Sequence, residues 1–498
     1  MKNRRWTFLI AVLVAGGVSV AGGQMRNSGQ LVNAPGYQLQ ASTRNPYLGS
    51  VEARPNSGQT MDITLDDAIR LGIENNLGLK LAEANQKTIH AERLQVINYL
   101  SPNISLHAET GIHEYDLAAQ GFHPSSLAGF AKLAPPGTSF ALPTVTRADV
   151  TNAQFNLSQE LFSWAGWDAL FAVHDEIKAV DAQTASSAGD VIMEVGNLYL
   201  QTLAAGTQVD MAKSLLRSDK TALEHSREAH EAGTVAGISV LRAQVAYQSQ
   251  QQVVLQSENA FEKAKIQLNR AIGLAPEQKI RLTEAAPYAN LKIPTVEAAV
   301  QEAYTHRHDY RTLQSEVRAA KMEVRAESGL RFPSLLFHGN WGVTGVSGGV
   351  FHDTWAAVGT LEIPIFDEAK FRGDHDVAEA QVNQLQSEFA DLKQKIDQEL
   401  RDSILDVQTA TPLLAVAKSN LELANEELTE TNERFAAGVD TNLPVVEAKA
   451  AVAQAQARYV QTQLKYNEAK LALADRLGII DVAFHPVLTP KVLKEFEN

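Results

Sequence analysis

The most informative segment of this 498-residue sequence is Ala153-Gln154-Phe155-Asn156-Leu157-Ser158-Gln159-Glu160-Leu161, in which apolar and polar side chains alternate. The segment from Thr354 to Ile363 alternates in a similar way, and each of the two follows another alternating run. Period-2 segments of about ten residues have the length and pattern of strands in outer-membrane β-barrels. A strand pair of a soluble protein has the same local pattern, so alternation alone leaves both environments open.

The alternation predicts four strands in two pairs, at about residues 103–116 and 149–163, and at about 334–345 and 353–366. In a membrane barrel one face of each strand meets lipid. The residues singled out in the predicted membrane strands are Phe155, Leu157, Phe337, Trp341, Trp355 and Leu361. Phe155 and Leu157 are expected to face lipid. The loop within the first pair is long, at about 117–148, whereas the second loop is short and rich in glycine.

Each strand pair is followed by a very long helical tract. Residues 167–231 and 369–436 read as helices of about 65 residues, or roughly 100 Å each if continuous. A glycine-bearing turn then leads to a return helix of about 35 residues, or roughly 50 Å. The two turns contain Gly233 and Gly438. The chain is therefore predicted to leave the strands on a long helix and to return only part of the way.

The sequence is internally duplicated. Thr64 to Pro102 matches Thr295 to Pro333 at a constant offset of 231, with a polar helix break at the same place in both copies. Leu157 and Phe162 match Leu361 and Phe366, and Gly233 matches Gly438 at an offset of 205. We therefore divide the chain into repeat one at 61–285, repeat two at 286–481 and a tail at 482–498.

The N-terminus has the features of an export signal, with Lys2, Arg4 and Arg5 before an apolar run and small residues. We predict a cleaved signal peptide at 1–23, an uncleaved anchor being the alternative. Residues 24–60 are rich in Asn, Ser, Gly and Pro and predict a flexible segment. The net charge of -14 disfavours a nucleic-acid partner, and the lack of cysteine excludes disulfides, thiolate metal sites and an N-terminal lipid-bearing cysteine.

Any membrane insertion after the signal must use strands, because no later stretch is apolar enough for a spanning helix. In lipid, strands require a closed barrel, since open edges would leave backbone groups unsatisfied. Four strands are too few, because the smallest membrane barrels have about eight. A homo-oligomer that supplies a multiple of four strands is therefore required.

These segments resemble the TolC-like outer-membrane factor family over residues 61–480. The similarity is carried by Thr64-Leu65-Asp66-Asp67-Ala68, Tyr99-Leu100-Ser101-Pro102, Leu361-Glu362-Ile363-Pro364-Ile365-Phe366 and Arg434-Phe435-Ala436-Ala437-Gly438. The resemblance implies a mainly α protein with a small membrane β-barrel: a trimer, with a 12-stranded barrel made of four strands per copy, continued by a periplasmic α-helical barrel. It also implies an outer-membrane location, outer-membrane lipid as surroundings, and docking to a periplasmic adaptor (membrane fusion protein) and an inner-membrane transporter. Efflux and type I secretion both stay open.

The resemblance also suggests roles for the two helical turns. Gly233 and Gly438 would lie at tips that contact the adaptor. Asp440 and Glu447 are candidates for an acidic ring that closes the periplasmic mouth, although Pro444 occupies a position where the family often has an acid. The alternative is that both are ordinary solvated acids near a helix N-terminus.

The sequence contains no catalytic constellation, and we predict no enzyme activity, cofactor or metal. In His306-Arg307-His308-Asp309, adjacent residues of a helix would not share a face, and the segment aligns with a helix break. His225 and His230 are five positions apart, which is wrong for a helical zinc pair. The glycines from Gly342 to Gly349 lack the Lys-Ser/Thr of a phosphate loop and predict a flexible loop.

Two other classes of protein were weighed against a passive export duct. A periplasmic adaptor would have a single helical hairpin within small β-rich halves, whereas this chain has two hairpins and paired strands. A soluble coiled-coil scaffold is disfavoured by the export signal and by heptad interruptions at Gly233, Pro412 and Gly438.

Overall fold

The computed structural model describes residues 45–51, 53–116, 145–284, 293–346, 349–437, 439 and 442–480. The predicted signal peptide, the tail at 482–498 and most of the long loop at 117–148 lie outside these residues. So do Gly438 and Asp440. The structural findings below concern the described residues.

Repeat one contains a short strand, two helices, a strand pair and a helical hairpin. Its elements are β1 (Met61–Ile63), α1 (Leu65–Asn75), α2 (Leu77–Leu100), β2 (Asn103–Asp116), β3 (Val145–Phe162), α3 (Trp164–Glu231) and α4 (Gly237–Ala271). The short strand β4 (Ile280–Leu282) lies at the end of repeat one. Repeat two then has the same order of long elements, namely α5 (Val296–His306), α6 (His308–Gly329), β5 (Ser334–Val346), β6 (Phe351–Glu362), α7 (Glu368–Ala436) and α8 (Asn442–Leu477).

The helix break that the sequence suggested occurs at one residue in each repeat. In repeat one, Thr64 caps α1 in a reciprocal capping box with Asp67, and the helix ends before Asn76. Asn76 has extended backbone angles and its side chain caps α2. Arg307 has the same backbone conformation between α5 and α6. An extended residue between two helices redirects the chain, so each break turns the path toward the strands.

The four long strands form one antiparallel sheet in the order β2-β3-β5-β6. The prediction for the last strand was wrong at its end: we placed it at about 353–366, whereas β6 stops at Glu362. Pro364 has no backbone N–H to donate, so the ladder cannot continue through it. β3 begins at Val145, earlier than predicted, so residues 145–148 belong to the strand rather than to the loop.

The helices lie side by side in the order of the strands they join. Next to the sheet this order is α2-α3-α6-α7, and farther away α4 and α8 take the places of α2 and α6. Helix α3 contacts α2 and α6 in one half and α4 and α8 in the other. No helix among the described residues is both long and apolar enough to cross a bilayer.

Two apolar cores lie where the return helices meet the helix breaks. The first joins α1, α3 and the end of α4, and its buried side chains include Ile69, Tyr199 and Leu268. The second joins α5, α7 and α8, and includes Ile396 and Leu473. Each repeat thus has its own core at mid-height of the helical layer.

The segment predicted to be flexible is ordered in its second half. Val51 donates a backbone hydrogen bond to Asn75, and Arg54 donates one to Gly273. Asn76 donates its side-chain amide to the Tyr47 carbonyl at 2.6 Å. The prediction for 24–60 was therefore wrong from residue 45 onward. These partners lie outside the segment itself, in the break after α1 and in the end of repeat one, so the composition of the segment did not reveal them.

Candidate functional site

The sheet has one apolar and one polar face. Cross-strand partners share a face, and the register places Leu106, Phe155, Trp341 and Trp355 in one row across all four strands. The rings of Phe155 and Trp341 stack at 6.3 Å between centroids. Trp341 and Trp355 are 60% and 72% exposed. Large apolar side chains exposed in a continuous row mark a surface that is covered by something other than water.

All six residues that were singled out in the predicted membrane strands lie on this apolar face. Leu157 of β3 is the cross-strand partner of Gly339 in β5, which in turn pairs with Ala357 in β6. Between β5 and β6, Phe337 pairs with Gly359 and Leu335 pairs with Leu361. The structure thus brings together on one side of a sheet side chains from both repeats.

The opposite face is polar and internally hydrogen bonded. Gln154 donates its amide to the Thr354 hydroxyl at 3.2 Å, although Gly342 lies between them in the sheet. A Cβ on Gly342 would lie 2.1 Å from the Ala153 carbonyl oxygen, so only glycine fits. Gly342 and Gly345 lie inside β5, within the strand predicted at about 334–345, and not in the flexible loop with which they were grouped when a phosphate loop was considered.

Aromatic side chains gather where the sheet meets the helices. Trp164 at the start of α3 contacts the Phe162 ring at 5.4 Å and the Phe332 ring at 6.3 Å. Ile365 and Phe366, just after β6, are 92% and 96% exposed. Girdles of aromatic residues are typical of membrane barrels at their two interfaces. This cluster was not predicted from the sequence, although the aromatic residues near the ends of β3 and β6 could have indicated it.

The first helical tip is closed by a Schellman motif. Gly233 has φ +72° and donates its N–H to the His230 carbonyl, while Thr234 donates to the Ala229 carbonyl. A Cβ on Gly233 would meet nothing within 4 Å, so the left-handed backbone, and not crowding, explains the glycine. At the second tip Val439 donates to the Arg434 carbonyl, the equivalent bond. Glu447 is exposed on α8.

A buried ion pair joins the two hairpins. The Lys449 ammonium of α8 lies 3.0 Å from Asp219 Oδ1 of α3, and the two side chains are 11% and 12% exposed. It also donates to the Ser218 carbonyl. The pair also lines a cavity of about 180 Å³, whose other walls are mostly alanine, valine and leucine side chains of α3, α4 and α8. A lysine within the alanine-rich start of α8 was the one signal in the sequence for this contact.

A second buried charge network lies at the break between α5 and α6. Arg307 is 8% exposed and binds both carboxylate oxygens of Asp309 and one of Glu399. Burial by itself would lower the pKa of Arg307, but Asp309 and Glu399 raise it above its usual value. The residues first considered for metal ligation therefore include an arginine that holds α6 against α7. Nearby on α8, burial raises the pKa of Asp475 to about 6.

A patch of carboxylates spans α2, α3 and α6. Burial, and then the charges of Glu92, Glu323 and Glu316, raise the pKa of Glu176 to about 7. The pKa values of Glu316 and Glu323 are also raised, first by burial. Other acids of α3 are paired with bases instead: Asp168 contacts Arg325 at 3.3 Å and Asp175 contacts Arg318 at 3.7 Å.

Among the described residues, only His375, Asp376 and Glu379 could offer three ligand atoms to one metal ion. Asp376 and Glu379 are exposed and His375 is partly so, and all three lie within five consecutive residues of α7. Exposed neighbours on one helix do not form a preorganised coordination shell, and we assign no ion to them.

Comparison with known proteins relates this chain to a protein family. The model of the family described as outer membrane efflux protein matches residues 68–274 and 299–479. The pyoverdine export outer membrane protein OpmQ of Pseudomonas aeruginosa is 24% identical over 303 residues, which cover 60% of this chain and 64% of that protein. The toluene efflux pump outer membrane protein TtgF of Pseudomonas putida is 22% identical over 56% of this chain and 58% of that protein. The matches thus span somewhat under two thirds of these relatives.

The solved structure of the CmeC outer membrane channel of Campylobacter jejuni superposes with a TM-score of 0.70, covering 88% of this chain and 92% of that chain at 16% identity. This similarity confirms the predicted combination of strand pairs and long helices. The family match covers most of both repeats. The chain therefore belongs to the outer membrane efflux protein family, the TolC-like outer-membrane factors.

Proposed function

We propose that this chain is one protomer of a passive outer-membrane channel that exports small molecules. The observation that carries the proposal is the two-faced sheet. Its apolar face suits lipid and its polar face suits a water-filled lumen. In the described part of the chain β2 and β6 have no further strand partner, and in lipid such edges must be paired. Copies of the same chain supply the missing partners.

Three copies would give a barrel of 12 strands, four from each, the number that the family resemblance implies. Each strand is joined to a helix, and the helices lie in the strand order, so the ring of strands would continue as a ring of helices. The duct would thus extend into the periplasm by the length of α3 and α7, roughly 100 Å.

Small-molecule export is favoured over protein secretion. The two relatives are named for pyoverdine export and toluene efflux, and both cargoes are small molecules. A tripartite pump would require a periplasmic adaptor and an inner-membrane transporter. We assign the adaptor contact to the helical tips at Gly233 and Gly438, and the periplasmic gate to Asp440 and Glu447.

The experiment compares an arginine on each face of β3. Phe155→Arg should cost about 2–4 kcal/mol if the residue is near mid-membrane, because its side chain would meet lipid. Gln154→Arg, one residue away, points into the lumen and should leave assembly intact. The measurements are the yield of heat-modifiable oligomers in the outer-membrane fraction and the export of a fluorescent dye. Equal yields from the two variants would contradict the assignment of the faces, and absence of the wild-type chain from that fraction would overturn the function.

A further inference from the structure

The strand pair β3–β5, which joins repeat one to repeat two and is called the internal seam here, can serve as a template for the strand pair that joins neighbouring copies. Within one chain, β3 of repeat one pairs with β5 of repeat two, and Phe155 faces Trp341. Because the repeats are equivalent, β6 of one copy and β2 of the next stand in the same relation. If the equivalence holds residue by residue, the register between copies can be read from the structure of a single chain.

The equivalence can be tested on the strand pairs themselves. Residues of β2 map onto β5 at the offset of 231, and residues of β3 map onto β6 at 204, the offset between Leu157 and Leu361. The pair Asn103↔Ser158 of repeat one then maps to Ser334↔Glu362. This is the pair that repeat two contains. The two offsets therefore describe the structure, and not only the sequence alignment.

We propose that β6 of one copy pairs with β2 of the next in the register of the internal seam, so that Val358 faces Gly111 and Glu362 faces His107 of the neighbour. The proposal rests on the proposed channel function, because it assumes a closed ring of copies. It follows from mapping Gln154↔Gly342 and Ser158↔His338 with the same two offsets.

This register keeps the two faces continuous around the ring. Leu361 would face Ala108 on the apolar side, and Thr360 would face Glu109 on the polar side. A slip by one residue would bring apolar side chains against polar ones along the whole seam. A slip by two in one direction would place Glu362 directly opposite Glu109, and like charges in that position destabilise a strand pair. Continued one residue past Val150↔Val346, the last pair of the internal seam, the same mapping would place Asp353 opposite Asp116, at the solvent end where salt screens the repulsion.

The helices support the same arrangement. Across the internal seam, Asp175 of α3 contacts Arg318 of α6 at 3.7 Å. The offsets map this pair to Glu379 of α7 and Lys87 of α2 in the next copy, an acid and a base that are both exposed in the single chain. The pair Asp168–Arg325 maps to Arg372 and Leu94, which cannot form an ion pair. Glu379, one of the three neighbouring side chains on α7, would thus gain a cation from the adjoining copy.

Cysteine cross-linking tests the register, and the natural absence of cysteine gives a clean background. The test protein is the full-length chain with Val358→Cys and Gly111→Cys. Within one copy these positions lie at opposite edges of the sheet, three strand spacings or roughly 14 Å apart across the strands. They are also out of register, because Val358 is in line with Asn103, eight residues from Gly111 along β2, so a disulfide within one copy is not possible. Mild oxidation should therefore yield covalent oligomers up to the trimer that survive boiling in detergent and collapse on reduction.

The matched controls shift one cysteine by two residues on the same face. Val358→Cys combined with Glu109→Cys, or with His113→Cys, should cross-link at least tenfold less, because diagonal neighbours are roughly 7–8 Å apart. The single-cysteine variants report whether each substitution preserves the oligomer. Efficient linking by a shifted pair and not by the matched pair would overturn the register and leave the channel assembly standing. No linking by any pair, together with monomers in the outer-membrane fraction, would overturn the proposed function itself.

A charge exchange gives an independent readout at the helices. Lys87→Glu and Glu379→Lys should each lower the fraction of oligomer that resists detergent, and the double exchange should restore it. Additive losses in the double variant would contradict the contact between copies.

Discussion

At the scale of single residues, the positive-φ glycines at the helix ends have two different reasons for being glycine. Gly478 has φ +76°, and a Cβ there would lie 2.6 Å from the Arg307 backbone nitrogen. Gly273, its equivalent in repeat one, would place a Cβ 2.5 Å from that of Asn75. Gly233 shares the positive φ but has open space around it. Both the positive φ and the crowding therefore require glycine at the mid-height breaks, whereas the positive φ alone requires it at the tip.

A series of alanine substitutions should separate these two causes. Gly233→Ala should cost about 1–2 kcal/mol for the left-handed backbone. Gly478→Ala should cost roughly 2–5 kcal/mol, because overpacking against Arg307 adds about 1–3 kcal/mol. Gly373→Ala is the control: it lies inside α7 with nothing within 4 Å of a new Cβ, and helix propensity predicts a gain of up to about 1 kcal/mol. Thermal unfolding followed by circular dichroism in detergent gives the order of stability of the three variants. Equal losses of stability in Gly233→Ala and Gly478→Ala would contradict the effect of crowding at Gly478.

At the scale of elements, the end of α8 carries a carboxyl group that opposes folding at neutral pH. Burial raises the pKa of Asp475 from 3.8 to about 6, even though Arg476 lies 3.4 Å away. Asp190 of α3 also raises this pKa, Glu399 of α7 acts in the same direction, and Arg307 acts against them. Desolvation prevails because Arg476 is itself partly exposed and also contacts Glu399 at 3.7 Å.

The sign of the pH dependence follows from this shift. The folded chain binds the Asp475 proton more tightly than the unfolded chain does, so this group stabilises the fold below about pH 4 and loses that contribution as the pH rises through about 6. Asp475→Asn should therefore raise the unfolding temperature at pH 7.5 and flatten its dependence on pH between 5 and 7.5. Asp391→Asn, at an exposed position of α7, is the matched control and should leave the slope unchanged. A wild-type slope in Asp475→Asn would rule out this assignment.

The sequence predicted elements better than contacts between them. The strands, the breaks at Asn76 and Arg307 and the long helices are set by local periodicity, capping and helix interruption, all of which can be read within a few residues. The pair Asp219–Lys449 is separated by 230 positions, and the lysine within the alanine-rich start of α8 does not by itself identify its partner. The hydrogen bonds that order residues 45–60 come from helix ends and from the far end of repeat one. The end of β6 was misplaced because apolar residues continue past Pro364, where backbone pairing cannot.

At the scale of the whole molecule, the proposed gate depends on copies meeting at an axis. Glu447 is exposed on a single chain, whereas three copies would bring the acids together at a narrow mouth. Clustered carboxylates attract cations and exclude anions, in a way that salt weakens. Asp440→Ala/Glu447→Ala should therefore raise single-channel conductance and reduce cation preference in planar bilayers. Asp391→Ala, away from the mouth, is the control. Wild-type conductance and selectivity in the double variant would mean that the closure is steric.

Helix α3 also has a mechanical consequence. It is continuous over 68 residues, starts directly after β3, and contacts five other helices along its length, α1, α2, α4, α6 and α8. Treated as a stiff lever of roughly 100 Å with its pivot at the sheet, it would convert a tilt of about 5° into a displacement of roughly 9 Å at the opposite end. The strands would then remain fixed in their ladder while the turn at Gly233 moves by roughly 9 Å. Small angular adjustments near the membrane are thus amplified mechanically along the helix.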